Sequence, residues 1–214
     1  MTALILLCVA LFLVLAAEFI NGWTDAPNAI ATVVSTSTLP LSIAVPMAVV
    51  LNIAGAMSGT AVAATIGKGI VTTDSVTVPA IAAAMVAIIA WGAFAAHRGL
   101  PISKSHALVA GLAGAAIAGG GFGALLWAGW TKILIGMLLS VVAGFGIAFI
   151  LSKLVMMFAA SASPRRAKTG FDAAHVFTAG TMAFAHGMND GQKFIGIFTL
   201  VLVLGAQIPA FHIQ

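Results

Sequence analysis

The stretch Asn21-Gly22-Trp23-Thr24-Asp25-Ala26-Pro27-Asn28 interrupts an apolar N-terminus. Residues 2–17 before it carry no charged side chain, and the apolar pattern resumes at residues 29–34. A glycine, a proline and a carboxylate therefore stand where a membrane helix would continue. Backbone that leaves a helix at membrane depth needs protein or a polar cavity to satisfy its hydrogen bonds. The stretch therefore predicts a polar site inside a membrane protein.

The composition of the chain indicates that the lipid bilayer is its solvent. Of the 214 residues, 62% are hydrophobic and 7% are charged, and the mean hydropathy is +1.17. Soluble domains carry about 25% charged residues. The net charge is +4, but no basic stripe with interleaved aromatic residues is present, so nucleic acid is excluded as a partner. We predict a multi-pass, all-α integral membrane protein.

Apolar segments recur at the length of about 20 residues that a spanning helix requires. Some are short or contain Gly, Pro and polar residues, which predicts half-helices or re-entrant hairpins. These features indicate a polytopic helical transporter with broken helices. The interrupted pieces are residues 27–39, 101–120 and 173–208. The predicted segments lie near residues 3–20, 43–66, 76–96, 105–120, 124–151, 173–186 and 194–208.

A basic connection divides the chain. Residues 159–172 contain two arginines and a lysine and few apolar side chains, which predicts a cytoplasmic loop. The loop separates a first transmembrane repeat, residues 1–158, from the start of a second, residues 173–214. Whether the protein forms a homo-oligomer is left open by the sequence.

An internal repeat links two interruptions of the apolar pattern. Sliding Gly22 onto Gly187 also brings Asp25 onto Asp190. Both copies place an aspartate in a glycine-containing break between apolar segments. Paired broken helices in repeated halves are the sequence feature that marks a transporter binding site.

The two aspartates are the first candidates for a functional role. A carboxylate within a membrane segment costs about 2.5–3.5 kcal/mol on insertion scales and is functional by default. Asp25 and Asp190 are predicted to coordinate a cation such as sodium or to exchange a proton, with neutral oxygens from Thr24, Asn28 and Asn189 beside them. The alternative is that each carboxylate only caps a half-helix or pairs with a lysine.

A second cluster precedes a helix rich in glycine and alanine. Pro is favoured in the first turn of a helix and Ser at its cap, and the unpaired amides there form an anion site. The hydroxyls of Ser103 and Ser105, the Lys104 ammonium and the His106 imidazole add donors suited to a tetrahedral oxyanion. An ordinary capped helix with Lys104 at the interface explains the pattern equally well.

Three further polar residues flank the breaks. Glu18 lies one turn before the first break, where it either lines the same cavity or is hydrogen-bonded to a neighbouring helix. Lys193 follows Asp190 by one turn and is either an anion ligand or the partner that neutralises Asp190. His186 adjoins the second break, and a hydrogen-bonded packing role is favoured for it.

Enzyme motifs are absent from the sequence. It contains no Gly-x-Ser-x-Gly elbow, no His-Glu-x-x-His and no Cys/His cluster with metal spacing. Intramembrane proteolysis by paired aspartates is disfavoured, since the Gly, Asn and Asp contexts suit ion ligation better. We therefore predict a protein that is not an enzyme and that holds no metal other than a sodium ion at Asp25 and Asp190.

Three motifs resemble those of one family, the inorganic phosphate transporters (PiT). Residues 21–32 resemble its N-terminal signature at the Asn-Gly, the Asp, the Asn-Ala and the Ala-Thr. Residues 185–193 resemble its C-terminal signature in the bacterial variant with Gln-Lys after the Asp. Residues 101–107 resemble the Pro-x-Ser-x-Ser/Thr-His segment of its first repeat.

The resemblance implies a fold of two inverted repeats, each with a broken first helix and a hydroxyl-rich re-entrant hairpin. It implies symport of inorganic phosphate across the cell membrane, coupled to sodium or protons. By position, Ser103, Ser105 and the nearby amides would contact phosphate. The coupling residues would be Asp25, Asn28, Asn189 and Asp190.

The sequence also departs from the family pattern. Trp23, Thr24 and Pro27 differ from the usual residues of the first signature, and Lys104 stands where a hydroxyl residue is usual. The hydroxyl-rich segment of the second repeat is missing, which predicts that the chain is truncated. The alternatives are therefore a permease for sulfate or another tetrahedral oxyanion, or a membrane fragment that is inactive without a second half.

Overall fold

The computed structural model describes residues 1–72, 76–160 and 163–206, and most of these residues are helical. Two distorted turns adjoin the longer helices: a 3₁₀ turn at Ala26–Ala29 and a π-turn at Gly187–Gly191. The α-helices of the described residues are α1 (Thr2–Asp25), α2 (Ala31–Ser35), α3 (Leu41–Met57), α4 (Ala61–Lys68), α5 (Val78–His97), α6 (Lys104–Gly120), α7 (Trp127–Ala159), α8 (Pro164–His186) and α9 (Gln192–Ala206).

Three of these segments are long and apolar enough to cross a bilayer. They are Thr2–Ala29, Val78–His97 and Trp127–Ala159, and their most apolar 18-residue stretches have mean hydropathies of 2.9, 2.1 and 2.6. The 33-residue α7 extends about 50 Å at 1.5 Å per residue, against about 30 Å of hydrocarbon. The prediction of an all-α integral membrane protein is confirmed.

The larger core lies where α1, α5, α6 and α9 pack together. Its central side chains are aliphatic and fully buried, so this half of the molecule forms a rigid support for the polar residues at the ends of α1 and α6. The largest of them are Ile81, Met85, Leu108, Leu112 and Ile197.

A second, smaller core forms where α3 crosses α8 and the π-turn. The backbones approach closely because two glycines lie at the crossing. A Cβ atom on Gly187 would collide with the backbone oxygen of Asn52, and one on Gly55 would collide with that of Phe184. Small residues permit this kind of close helix contact in membranes.

The two predicted breaks are milder than the sequence suggested. α1 stays helical through Asp25, and Pro27 falls in the 3₁₀ turn after it, where a missing N–H is tolerated. The second break is the π-turn, a local widening within a continuous helical path. The helical path therefore continues through the second break, although Gly187 and Gly191 lie in it.

Two segment boundaries predicted from the sequence are wrong. The segment at 43–66 is divided into α3 and α4 by a turn at residues 58–60. The stretch 159–172 is not a loop throughout, because α8 begins at Pro164. Proline is favoured at the first position of a helix, and an i,i+4 ion pair between Lys168 and Asp172 supports the turn that follows.

Candidate functional site

The first aspartate forms an ion pair with the first residue of α6. Lys104 Nζ lies 3.0 Å from Asp25 Oδ1, and the two side chains are 4% and 24% exposed. Thr24 Oγ1 donates to the same carboxylate oxygen at 3.0 Å. The pair joins the C-terminal end of α1 to the N-terminal end of α6.

Gly92 leaves room for the alkyl stem of Lys104. A Cβ atom on Gly92 of α5 would lie 3.2 Å from an Ile20 methyl group and 3.3 Å from Lys104 Cε. The absence of a side chain on Gly92 therefore lets the alkyl stem pass between α1 and α5. Apolar burial of a lysine stem with its ammonium on a polar partner is a favourable arrangement.

The second aspartate is paired within its own segment and connected to the first repeat. Lys193 Nζ lies 2.8 Å from Asp190 Oδ1 and donates to Ser105 Oγ at 2.6 Å. The Lys193 side chain is buried. It therefore links the π-turn to α6, next to the residue that pairs with Asp25.

A histidine and an asparagine continue the polar cluster. His186 Nδ1 lies 2.6 Å from Asn52 Oδ1, while the Asn52 amide donates to the Ala48 carbonyl at 2.8 Å. The amide oxygen is an acceptor, so this geometry assigns the proton to Nδ1. Nε2 then lies 3.5 Å from Asp190 Oδ2 and is buried without a hydrogen-bond partner among the described residues.

Glu18 and Asn21 lie in the last two turns of α1. The fully buried Asn21 donates from Nδ2 to Glu18 Oε2 at 3.2 Å, and its Oδ1 has no partner among the described residues. Glu18 lines a mostly apolar cavity of about 620 Å³ together with Asn52 and His186. This cavity is on the α3 side of the ion pairs.

The other predicted cation ligands are divided between two places. Thr24 and Asn28 line a polar cavity of about 490 Å³ with Asp25 and Lys104. Asn189 is exposed and donates its amide to the Ala185 carbonyl at 2.8 Å. Asn189 is therefore absent from the set of side chains that the structure brings together.

The predicted anion cluster is also divided. Lys104 and Ser105 contact the aspartate–lysine network. Ser103 instead caps α6 by accepting from the His106 amide at 3.3 Å, and both residues line a separate cavity of about 590 Å³ beside Trp91. Since successive helical residues point about 100° apart, one run of four polar residues faces two directions.

Sequence reasoning missed two polar residues around the site, the half-buried Asn52 and the buried Gln192. Asn52 fixes the His186 ring, and Gln192 accepts from the Val62 amide at 3.3 Å, near the start of α4. Gln192 carried a signal, because it precedes Lys193 in the second motif. Asn52 stands in an apolar segment, and nothing in the sequence around it indicated a functional role. The described residues contain no group of three or more His, Cys, Asp or Glu side chains placed to hold a metal ion.

Ion pairs with buried lysines therefore join the ends of distorted helices in a polytopic helical membrane protein. A model of the phosphate transporter family matches residues 21–212. A probable low-affinity inorganic phosphate transporter of Bacillus subtilis (strain 168) is 40% identical over 206 residues, which are 95% of this chain and 60% of that protein. The chain belongs to the phosphate transporter family.

Other relatives agree with this assignment. A probable low-affinity inorganic phosphate transporter of Streptomyces halstedii is 40% identical over 174 residues, covering 80% of this chain and 81% of that protein. One of Mycobacterium tuberculosis (strain ATCC 25618 / H37Rv) is 34% identical, covering 94% of this chain and 48% of that protein. The chain thus spans roughly half of several relatives that it matches.

The solved structure titled "The sodium-dependent phosphate transporter" has the same fold. It superposes with a TM-score of 0.80 at 21% identity, and the match covers 100% of this chain and 71% of that one.

Proposed function

We propose that this chain takes part in secondary active symport of inorganic phosphate across the cell membrane, coupled to sodium or protons. Membership of the phosphate transporter family carries the proposal, since the relatives named above are described as phosphate transporters. The buried lysine network supports it, because ammonium and hydroxyl donors form strong charge-assisted hydrogen bonds with phosphate oxygens.

Phosphate binds beside the Lys193–Ser105 contact in this proposal. Lys193 Nζ and Ser105 Oγ are 2.6 Å apart, so one oxyanion can accept from both. Asp190 lies beside them at 2.8 Å from the ammonium and can accept the proton of monohydrogen phosphate. Sulfate has no such proton at neutral pH, which favours phosphate over sulfate.

Coupling follows from the charges at the same place. When phosphate takes hydrogen bonds from Lys193, Asp190 loses part of its neutralising partner. Two anions then face each other in a site of low dielectric, where their repulsion is strong. A sodium ion or a proton on Asp190 removes the repulsion, so anion and cation enter together. Lys104, which is paired with Asp25, holds the adjacent position on α6 against the end of α1.

Uptake of labelled phosphate and sulfate into proteoliposomes tests the proposal. We expect phosphate to accumulate in response to a sodium or pH gradient and sulfate to accumulate at least about tenfold less. Equal uptake of both anions would indicate a general oxyanion permease. Uptake of neither would indicate a membrane fragment that is inactive by itself.

Ser105→Ala should reduce phosphate uptake by roughly tenfold, because one hydrogen bond to a charged partner contributes about 1.5–3 kcal/mol. The matched control is Ser140→Ala on the exposed surface of α7, where the hydroxyl donates only to the Met137 carbonyl. Initial rates of uptake at several phosphate concentrations would measure both. Equal losses in the two variants would argue against a role for Ser105.

A further inference from the structure

We propose that the Lys104 ammonium is a tethered counter-ion that takes the place of a sodium ion at Asp25. The first carboxylate of the site would then be neutralised by the protein itself and would bind no sodium. This inference rests on the proposed function for its meaning in transport, but the ion-binding claim can be tested separately.

The Lys104 ammonium already occupies the position beside Asp25 at which a cation would bind. Lys104 Nζ is 3.0 Å from Asp25 Oδ1, and the ammonium is buried. Thr24 Oγ1 lies 3.0 Å from the same carboxylate oxygen and 2.8 Å from the Ile20 carbonyl oxygen, and these two acceptors share its single proton. A sodium ion at this carboxylate would meet the positive charge of the ammonium in a poorly screened environment. The residues present therefore do not fit a sodium ion while Lys104 is in place.

The position of the lysine on its helix supports a role outside helix stability. Lys104 is the first residue of α6, where the positive end of the helix dipole disfavours a cation. Burial of an ammonium adds a further cost unless a partner compensates for it. The Asp25 carboxylate offsets both costs. Helix formation alone therefore gives no reason for a lysine here.

The second lysine differs from Lys104 in its contacts. Lys193 is shared between Asp190 and Ser105. Among the described residues, Asp25 is the one side chain that bonds to the Lys104 ammonium, and Gly92 provides the space that its stem occupies. Lys104 thus stays paired with Asp25. Lys193 is the lysine that can exchange its contact with Asp190 for a contact with phosphate.

Thermal unfolding in sodium chloride and in choline chloride at equal ionic strength tests the inference. For the wild-type protein we expect a residual sodium effect from sites other than Asp25. In Lys104→Ser the carboxylate is released, and we expect an additional sodium-specific rise in the unfolding midpoint of roughly 3 °C or more, because a ligand that binds the folded state stabilises it. Lys104→Met tests the same release without a new hydroxyl group, and Lys104→Arg retains the cation and should behave as the wild type.

The control is Lys168→Ala, which removes an exposed lysine from its pair with Asp172 and should leave the sodium response unchanged. The inference is overturned if Lys104→Ser and Lys104→Met show the wild-type sodium response, or if Lys104→Arg gains the same rise as they do. If these variants fail to fold, sodium binding is measured directly on the wild type and on Asp25→Asn. We expect the two proteins to bind sodium equally. Weaker sodium binding by Asp25→Asn would overturn the inference. Phosphate uptake is a separate readout, so its absence would count against the proposed function and not against the counter-ion.

Discussion

Asp25→Asn should lose most phosphate uptake and about 3 kcal/mol of stability. The substitution keeps the shape of the side chain but leaves the buried Lys104 ammonium without a counter-charge. Removing one partner of a buried pair costs about 3–5 kcal/mol, and the lower end applies because Asp25 is 24% exposed. Chemical unfolding in detergent and uptake into proteoliposomes would measure the two effects.

A double variant tests whether the loss of stability in Asp25→Asn comes from the unpaired charge of Lys104. Asp25→Asn combined with Lys104→Met removes both charges, and we expect it to recover most of the lost stability, since a buried pair replaced by apolar groups is often neutral. Uptake should remain low, because the contact that holds the end of α1 against α6, next to Ser105, is lost in both variants. Asp172→Asn, which breaks an exposed pair, should change neither quantity. Wild-type stability in Asp25→Asn would contradict the ion pair described here.

Gly187→Ala should disrupt the crossing of α3 with the π-turn. The added methyl group would meet the backbone oxygen of Asn52, and backbone cannot rotate away as a side chain can. Overpacking costs about 1–3 kcal/mol in proteins, and we expect the upper end. The separation of α3 from the π-turn also displaces Asp190 and the His186–Asn52 contact, so phosphate uptake should fall with stability.

The matched control for this substitution is Gly144→Ala in α7. A Cβ atom there has no neighbour within 4 Å, and alanine is favoured over glycine in a helix by about 0.5–1 kcal/mol. We expect this variant to fold and transport like the wild type. The yield of monodisperse protein and its unfolding midpoint would show the difference, and equal behaviour of the two variants would refute the close crossing.

The sequence predicted most of the fold because hydropathy and segment length carry that information. The spans at α1, α5 and α7 follow from long apolar runs. Gly55 and Gly59 are spaced by four residues, a pattern that favours close packing of membrane helices. The structure shows such packing at Gly55, whereas Gly59 has only the Gln192 amide nearby. Spacing identifies small residues that can approach a neighbour, but the neighbour depends on the tertiary fold.

The partners of the charged residues could be predicted only in part. Asp25 and Asp190 were identifiable because carboxylates are costly in a membrane. Lys193 was one of the partners considered for Asp190, and the structure shows that pair. Lys104 could not be assigned to Asp25, nor Ser105 to Lys193, since 79 and 88 residues separate them. The separation of Ser103 and His106 from Lys104 and Ser105 depends on the rotation of α6, which a run of four polar residues does not reveal.

The sequence distance between Asp25 and Lys104 has a consequence for biogenesis. Helices leave the ribosome in chain order, so α1 enters the bilayer with a carboxylate 79 residues before its ammonium partner is synthesised. Asp25 is the last residue of α1, and it has no counter-charge while α2 to α5 are being synthesised. The ion pair that joins the end of α1 to the start of α6 can therefore form only after α6 has been made. The packing of these two helix ends is thus a late step in the assembly of the protein.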